Sequence, residues 1–300
     1  MTSNDLIDKL AVRMSKKYTR RQFLKRALAT TSTAIIASSI GYGYARYIEP
    51  KQLEITKHIV EHPTIPKKFD QIKIVQFSDT HVGHYFSLEQ LSHIVDKINA
   101  LKPDLLFFTG DLMDEPNKYA ATNHLIPILE RLEAPLGKFA IYGNHDHGGY
   151  GSEIYKEMMN QTGFTLLMNS SEEIFVEDSK ITIVGLDDVM LGRPNFEQAF
   201  KHVDSSSFTI LLAHEPDIAE RAEEVGAHMQ LSGHSHGGQI QIPFFGPLIT
   251  PPLGSIYVEG DHLIGPTNMF LYVNRGLGTT RLPLRFLAKP EISIFTLAAT

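Results

Sequence analysis

Five short apolar runs, each broken off by Asp, Asn or His, constrain this chain more than any other feature. Residues 72–77 lead into Ser78-Asp79-Thr80-His81, and 104–108 into Thr109-Gly110-Asp111-Leu112-Met113-Asp114. Residues 138–142 lead into Gly143-Asn144-His145-Asp146, 208–212 into Ala213-His214-Glu215-Pro216, and 228–232 into Gly233-His234-Ser235-His236. Each run has the length and β-rich composition of a buried strand, as does a sixth at 181–186. Between the first two lies a helical pattern: Leu88, Leu91, Ile94, Val95 and Ile98 recur at steps of three and four, with Ser87 placed to cap it and Pro103 just past its end. A second helix is expected over about 122–132. Strand alternating with helix is the signature of an α/β fold. In such folds the carboxyl ends of the strands carry the binding site, so residues some 160 positions apart are expected to converge there.

The remaining composition narrows the chemistry. The chain has 300 residues and no cysteine, so disulfides are excluded and any metal must be held by nitrogen and oxygen. Residues 1–26 carry eight basic and two acidic residues, a net +6, which leaves −12 for the rest of a chain whose total is −6. So acidic a body has no broad basic footprint, and no nucleic acid is expected as a partner.

Taken singly, each block has an ordinary reading. Asp79 and His81 are common turn residues, Gly110-Asp111 is turn vocabulary, and His214 alone could be a hydrogen-bonded core histidine. Gly143-Asn144-His145-Asp146 is denser in polar groups than a turn requires, and His234 and His236 on extended backbone can face one metal pair. Together, in this order and each behind a strand-like run, the five blocks resemble the calcineurin-like metallophosphoesterase superfamily over roughly residues 70–240.

The resemblance implies a four-layer α/β/β/α sandwich of two mixed sheets. It also implies two divalent cations (Mn, Fe or Zn), since a pair about 3.5–4 Å apart needs a bridging carboxylate. Asp111 would be the bridge; one cation would take Asp79, His81, Asp111 and His236, the other Asp111, Asn144, His214 and His234. Such a pair lowers the pKa of bound water and orients a phosphate for in-line attack. His145 would be the general acid, with Asp146 orienting its ring, or else a simple phosphate donor. The implied reaction is hydrolysis of a phosphodiester or pyrophosphate. A broad extracytoplasmic phosphomonoesterase and a non-catalytic metal-binding envelope protein are the alternatives.

Outside these blocks, Thr19-Arg20-Arg21-Gln22-Phe23-Leu24-Lys25 resembles the twin-arginine export motif, and an uncharged, mildly apolar stretch at 27–45 follows it. This implies export by the twin-arginine translocase, with residues 27–45 cleaved off or kept as a membrane anchor. An exported substrate would be a lipid-linked or cell-wall phosphoester. The expected division is a signal at 1–48, a linker with a lead-in strand at 49–70 and a catalytic domain at 71–300. Residues 148–151 read as a loop able to close over substrate, or as a plain turn. Near the end, Arg275, Arg281 and Arg285 sit in a Gly- and Pro-punctuated segment. Arg275 and Arg281 are candidates for substrate phosphate, with structural ion pairs as the bland reading.

Overall fold

A computed structural model describes residues 19–148 and 152–300; Lys9, Arg13, Lys16, Lys17 and most of the loop expected at 148–151 lie outside the described residues. The chain divides into two units, residues 1–44 and 45–300. In the first, Arg20 and Arg21 open α1 (Arg20–Gly43). Thr19 caps it, accepting from the Gln22 amide while the Gln22 side chain accepts from the Thr19 amide. Among the described residues, no helix is long and apolar enough to cross a membrane.

In the second unit the period-2 runs become strands, because alternate side chains can bury against a partner sheet and against helices. The first sheet contains β1 (Glu54–His62), β2 (Lys73–Phe77), β3 (Leu105–Phe108), β4 (Lys138–Ala140) and β5 (Thr165–Leu166). The second begins with β6 (Ser170–Val176), β7 (Ser179–Gly185), β8 (Phe208–Leu212) and β9 (Met229–Ser232). A small hairpin, β10 (Gln241–Ile242) and β11 (Gly246–Pro247), precedes β12 (Gly260–Ile264), β13 (Met269–Val273) and β14 (Glu291–Ala299). The first sheet runs β1-β14-β2-β3-β4-β5 and the second β12-β13-β9-β8-β7-β6. Both are mixed: β2 to β5 are parallel with β14 antiparallel to β2, and β7, β8, β9 and β13 are parallel between antiparallel edge strands. Residues 54–62, within the expected lead-in, form an edge strand paired in parallel to the final strand along all nine residues.

Strand parity sorts the core into layers. Ile74, Leu105, Phe107, Ile181, Ile183, Phe208, Ile210, Leu212 and Leu231 meet between the two sheets. The alternate residues Val75, Phe77, Leu106 and Phe108 face α2 (Leu88–Leu101), which buries Leu91, Ile94, Val95 and Ile98 against them. At about 1.5–3 kcal/mol per fully buried side chain, those four residues are the main reason this helix is ordered. Ser87 and Gln90 form its capping box, and Lys102 ends it in the left-handed region before Pro103. The expected helix over 122–132 is instead a 3₁₀ turn (Thr122–His124) and a single α turn, α3 (Ile126–Leu129). Pro127 is the reason: a proline ring is tolerated in a first helical turn but would clash with a carbonyl four residues earlier. After α4 (Asn144–His147) comes α5 (Ser152–Gln161), which adds Tyr155, Met158 and Met159 to the same layer. On the outer face of the second sheet, α6 (Phe196–Phe200) and α7 (Ala219–Glu224) bury Ala199, Ala219 and Ala222. The result is helix, sheet, sheet, helix.

Candidate metal centre

Every strand that ends in a polar block delivers it to one place, and the backbone turns sharply there. Asp79, His81, Asp111, His234 and His236 all have positive φ, between 45° and 71°. Five non-glycine residues in the left-handed region cost of order 1 kcal/mol each and persist only where the surroundings enforce them. The glycines of the same loops have no room for a side chain. A Cβ on Gly143 would lie 2.7 Å from the Asp111 amide nitrogen and collide with Asp111 Oδ1, while one on Gly233 would meet Ser78 and Asp79.

Two groups of donor atoms lie within 4.8 Å of one another, Asp79-His81-His236 and Asp79-Asp111-His214, and a third links His81, Asp111 and His145. His81 Nε2 and His236 Nε2 face each other at 3.0 Å, where at most one can carry the proton between them. Around that pair stand Asp79 Oδ1, 3.4 Å from His236 Nε2, and Asp111 Oδ2, 3.5 Å from His81 Nε2. His214 Nε2 lies 3.3 Å from Asp111 Oδ2, and this buried nitrogen and His81 Nδ1 lack a hydrogen-bond partner. Two carboxylates and three imidazoles, all buried and two of the rings with an unspent nitrogen, suit divalent cations and leave an apolar core no better explanation for them. Asp79, His81 and Asp111 each belong to two of the three groups, and of these residues only the two carboxylates have the pair of oxygens that a bridging ligand needs.

His234 and Asn144 stand at the rim. The His234 amide donates to both Asp79 oxygens at 3.1 Å, its ring meets His214 edge-on with centroids 4.9 Å apart, and its Nε2 faces the Pro252 carbonyl at 2.8 Å. That contact leaves Nδ1 for the centre. Asn144 opens α4 directly after Gly143, and the next amide, of His145, donates to Asp111 Oδ1 at 2.8 Å.

Charge follows this arrangement. Burial opposes ionisation of Asp111, but His214, His145 and His81 outweigh it and hold the carboxyl well below its usual range. Burial likewise disfavours protonated His214, yet Asp111, Asp79 and Glu215 raise it well above an ordinary histidine. Carboxylates that stabilise a charged imidazole so strongly are equally placed to hold a cation. His236 is pulled well down, by burial and then by His81 and Arg285, and offers a neutral imidazole.

Two expected roles, those of Asp146 and Arg275, need correction. Asp146 does not orient His145. Its carboxylate accepts the amides of Asp111 (2.7 Å), Leu112 (3.0 Å) and Gly143 (2.9 Å), tying two loops together, and burial with Asp111 nearby pushes it up to about 7. The partner of His145 is Asp114: Nδ1 donates to the Asp114 carbonyl at 2.8 Å and lies 3.5 Å from its carboxylate. Arg275 is not free to take phosphate, because its guanidinium is paired with Glu54 at 2.6 Å and Glu291 at 2.7 Å, with Glu259 at 3.9 Å. Arg281 is exposed on a surface turn with a positive φ of 60°.

The arginine that does reach the centre is Arg285, which the sequence reading passed over. Fully buried, it donates to the carbonyls of Arg275, Gly276, Gly278 and Ala288 and brings Nη2 within 3.5 Å of His236 Nδ1. Burial lowers its pKa to about 10, still a cation at neutral pH. Only its membership of the three-arginine segment hinted at it.

Beside the centre opens a cleft of about 290 Å³, lined by Asp114, Glu115, Asn117, Lys118, Asn144 and His145 among others. Centre and cleft together suit an anionic group held against cations, with an imidazole at its edge.

Comparison with known proteins agrees with this geometry. Residues 72–238, which include all five blocks, match the family described as calcineurin-like phosphoesterase. An uncharacterized metallophosphoesterase of Bacillus subtilis, YkuE, is 51% identical over 95% of this chain and 99% of its own. The UDP-2,3-diacylglucosamine pyrophosphatase LpxG of Chlamydia trachomatis is 29% identical, covering 89% of this chain and 95% of its own, and the phosphodiesterase YaeI of Escherichia coli is 29% identical, covering 93% and 98%. With the match spanning every strand end that supplies the centre, the chain belongs to the calcineurin-like phosphoesterases and is a metal-dependent phosphoric ester hydrolase using two divalent cations.

Proposed function

We propose that this chain hydrolyses a phosphodiester or pyrophosphate bond outside the cytoplasm, in a lipid-linked or wall-linked substrate. The observation that carries the reaction is the carboxylate pair Asp79 and Asp111, which share one donor group with His214 and each join a second group, so that donors from both sheets meet on them, with His145 lining the adjoining cleft. A pyrophosphatase and a phosphodiesterase among the relatives support a substrate with two substituents on phosphorus. The Thr19–Lys25 motif supports export by the twin-arginine translocase.

When bound, two cations polarise phosphoryl oxygens and make water a nucleophile near neutral pH. They would be held by Asp79, His81, Asp111 and His236 on one side and by Asp111, Asn144, His214 and His234 on the other. The protein's own contribution is proton supply and positioning. His145 Nδ1–H is committed to the Asp114 carbonyl, so Nε2 is the nitrogen left to give a proton to the departing oxygen. Burial lowers the pKa of His145, but Asp111, the Asp114 carbonyl and the neighbouring carboxylates more than compensate, favouring the protonated form an acid must start from. Asp114 therefore positions the acid, and Asp146 holds the loops of Asp111 and Asn144 in register. Arg285, behind His236, fixes that ring from the side away from His81.

The test is hydrolysis of bis-p-nitrophenyl phosphate and p-nitrophenyl phosphate by the full chain loaded with Mn²⁺. Metal-dependent cleavage favouring the diester supports the reading. A strong monoester preference would point to a broad phosphomonoesterase, and inertness of folded, metal-loaded protein on both would sink the proposed substrate class.

A further inference from the structure

The loop that grips His234 through the Pro252 carbonyl also carries an apolar projection that catalysis does not use. Residues 239–258 contain no charged side chain, in a body that is otherwise strongly acidic. At the tip of the β10–β11 hairpin, Phe244 and Phe245 are 105% and 87% exposed. Phe244 also has φ 69°, inside a turn closed by the Phe245 amide and the Ile242 carbonyl. Glycine or asparagine would take that conformation without the strain a bulky aromatic suffers. A phenylalanine that is strained and buries nothing cannot be explained by folding, and such outliers point to function. Nor is the loop loose: the Asp217 carboxylate accepts the amides of Ser255, Ile256 and Tyr257 at 2.9–3.1 Å.

The surroundings indicate what covers the tip. Gln239 is bonded through its side chain to both the amide and the carbonyl of Thr280, and Ile240 bridges to Phe286. The segment 280–289 therefore lies beside the hairpin, and its Arg285 amide donates to the Ala45 carbonyl, bringing 45–51 alongside as well. Besides the buried Arg285, these two segments hold Arg46, Lys51, Arg281 and Lys289 against one acid, Glu49, which is buried under the Ala288 amide. Exposed Leu282 and Leu287 lie among the cations. Aromatics on a convex tip with cations behind them match a bilayer, where rings settle at the headgroup level and cations meet anionic lipid. A projecting wedge suits a fluid partner that can close around it.

We propose that the hairpin Gln241–Pro247 inserts its Phe244-Phe245 tip into an anionic lipid surface, with Arg281 and its neighbours on the headgroups. This docking surface stands apart from the chemistry at the centre and does not depend on the proposed substrate.

The chain has no tryptophan, so Phe244→Trp places a single fluorophore at the tip of the full-length protein. With phosphatidylglycerol vesicles, the indole emission of Phe244→Trp should shift to shorter wavelength and be quenched by brominated acyl chains. Phe175→Trp, on the exposed face of β6, should show neither. Because this probe reports its own position, membrane binding by α1 cannot imitate it. A double Phe244→Ser/Phe245→Ser variant should lose about tenfold in vesicle partitioning while keeping its turnover of a soluble diester. Arg281→Gln should lose about fivefold, and less on phosphatidylcholine. Emission that stays unmoved at saturating phosphatidylglycerol overturns the proposal. So does a blue shift that appears with protein concentration alone and a doubled mass, which would mean that a second copy covers the tip.

Discussion

The two sheets bring unlike chemistry to one point. The first, through the ends of β2, β3 and β4, supplies both carboxylates of the centre, Asp79 and Asp111, together with Asn144, His81 and His145. The second, through β8 and β9, supplies only imidazoles: His214, His234 and His236. They are also held differently. On the first side, amides donate to carboxylates, as His145 does to Asp111 and three amides do to Asp146. On the second, imidazole nitrogens are held against carbonyls, and the connections cross between sheets. The His214 ring is held by the Thr109 carbonyl at 2.7 Å, and the His234 amide is held by Asp79. Neither sheet can form its half without the other, so the inter-sheet core is what preorganises the centre. Charge thus resides on one sheet, while the other tunes and orients.

Removing the shared charge should therefore do most damage. Asp111→Asn is expected to lower turnover by roughly 10³-fold or more, because several kcal/mol of transition-state stabilisation go with the cations. Elemental analysis should find neither ion retained. His234→Ala, at the rim of the imidazole side, should keep one ion and part of the activity. Equal metal loss in the two variants would break the asymmetry claimed between the sheets.

Next in size is the acid. His145→Ala should reduce kcat by about 10²–10⁴-fold with both ions still present. Its companion, Asp114→Asn, keeps the backbone carbonyl that holds Nδ1 and should cost far less. If metal content falls with activity in His145→Ala, the ring is a ligand, as its inclusion with His81 and Asp111 would allow, and the acid must be sought elsewhere.

Much of this arrangement was legible in the chain. Strand-like runs broken off by Asp, Asn or His mark both the sheets and the convergence point, because a buried parallel strand must be apolar until it leaves the sheet. What was not legible divides by cause. β13 and β14 pair with strands far away in sequence, β9 and β2, and the edge strand β1 joins a partner more than 200 residues distant, pairings that no local pattern carries. Arginine roles depend on which guanidinium finds carboxylates first: Glu54 and Glu291 take Arg275, so Arg285 is the one buried behind His236. Asp146 was misread because spacing places it beside His145, whereas the one-turn helix α4 points its carboxylate back at three amides.

That reversal makes a stability prediction. Asp146→Ala would leave three buried amides unpaired in the carboxylate-bearing half, at about 3–5 kcal/mol. Denaturant unfolding of the full chain should show a lower midpoint with an unchanged slope. The residual activity should track the folded fraction, whereas an orienter of His145 would lose kcat in fully folded protein. A loss under about 1 kcal/mol would sink the clamp.

The smallest expected effect contrasts the histidines of the centre with a pair remote from it. His62 and His228 stand 4.7 Å apart, centroid to centroid, each against the Phe208 ring, where nothing rewards a positive charge. Burial, then His62, pulls His228 down to about 4, and burial lowers His62 as well. Geometry agrees: each Nδ1 accepts a backbone amide, Thr209 at 3.0 Å and Thr64 at 3.2 Å, bonds that a second ring proton would break. Between pH 6.5 and about 4 the unfolded chain binds more protons at these positions than the folded one, so stability is complete above 6.5 and falls as pH drops through that window. Allowing for partial exposure, the pair should cost about 1 kcal/mol between pH 7 and 5. His228→Asn keeps an acceptor for the Thr209 amide but cannot titrate, so unfolding measured with chelator at both pH values should show a shallower dependence than wild type. The histidines of the centre titrate in both proteins and cancel in the difference. Equal slopes would mean that the apolar pair, unlike its carboxylate-ringed counterparts, carries no proton linkage.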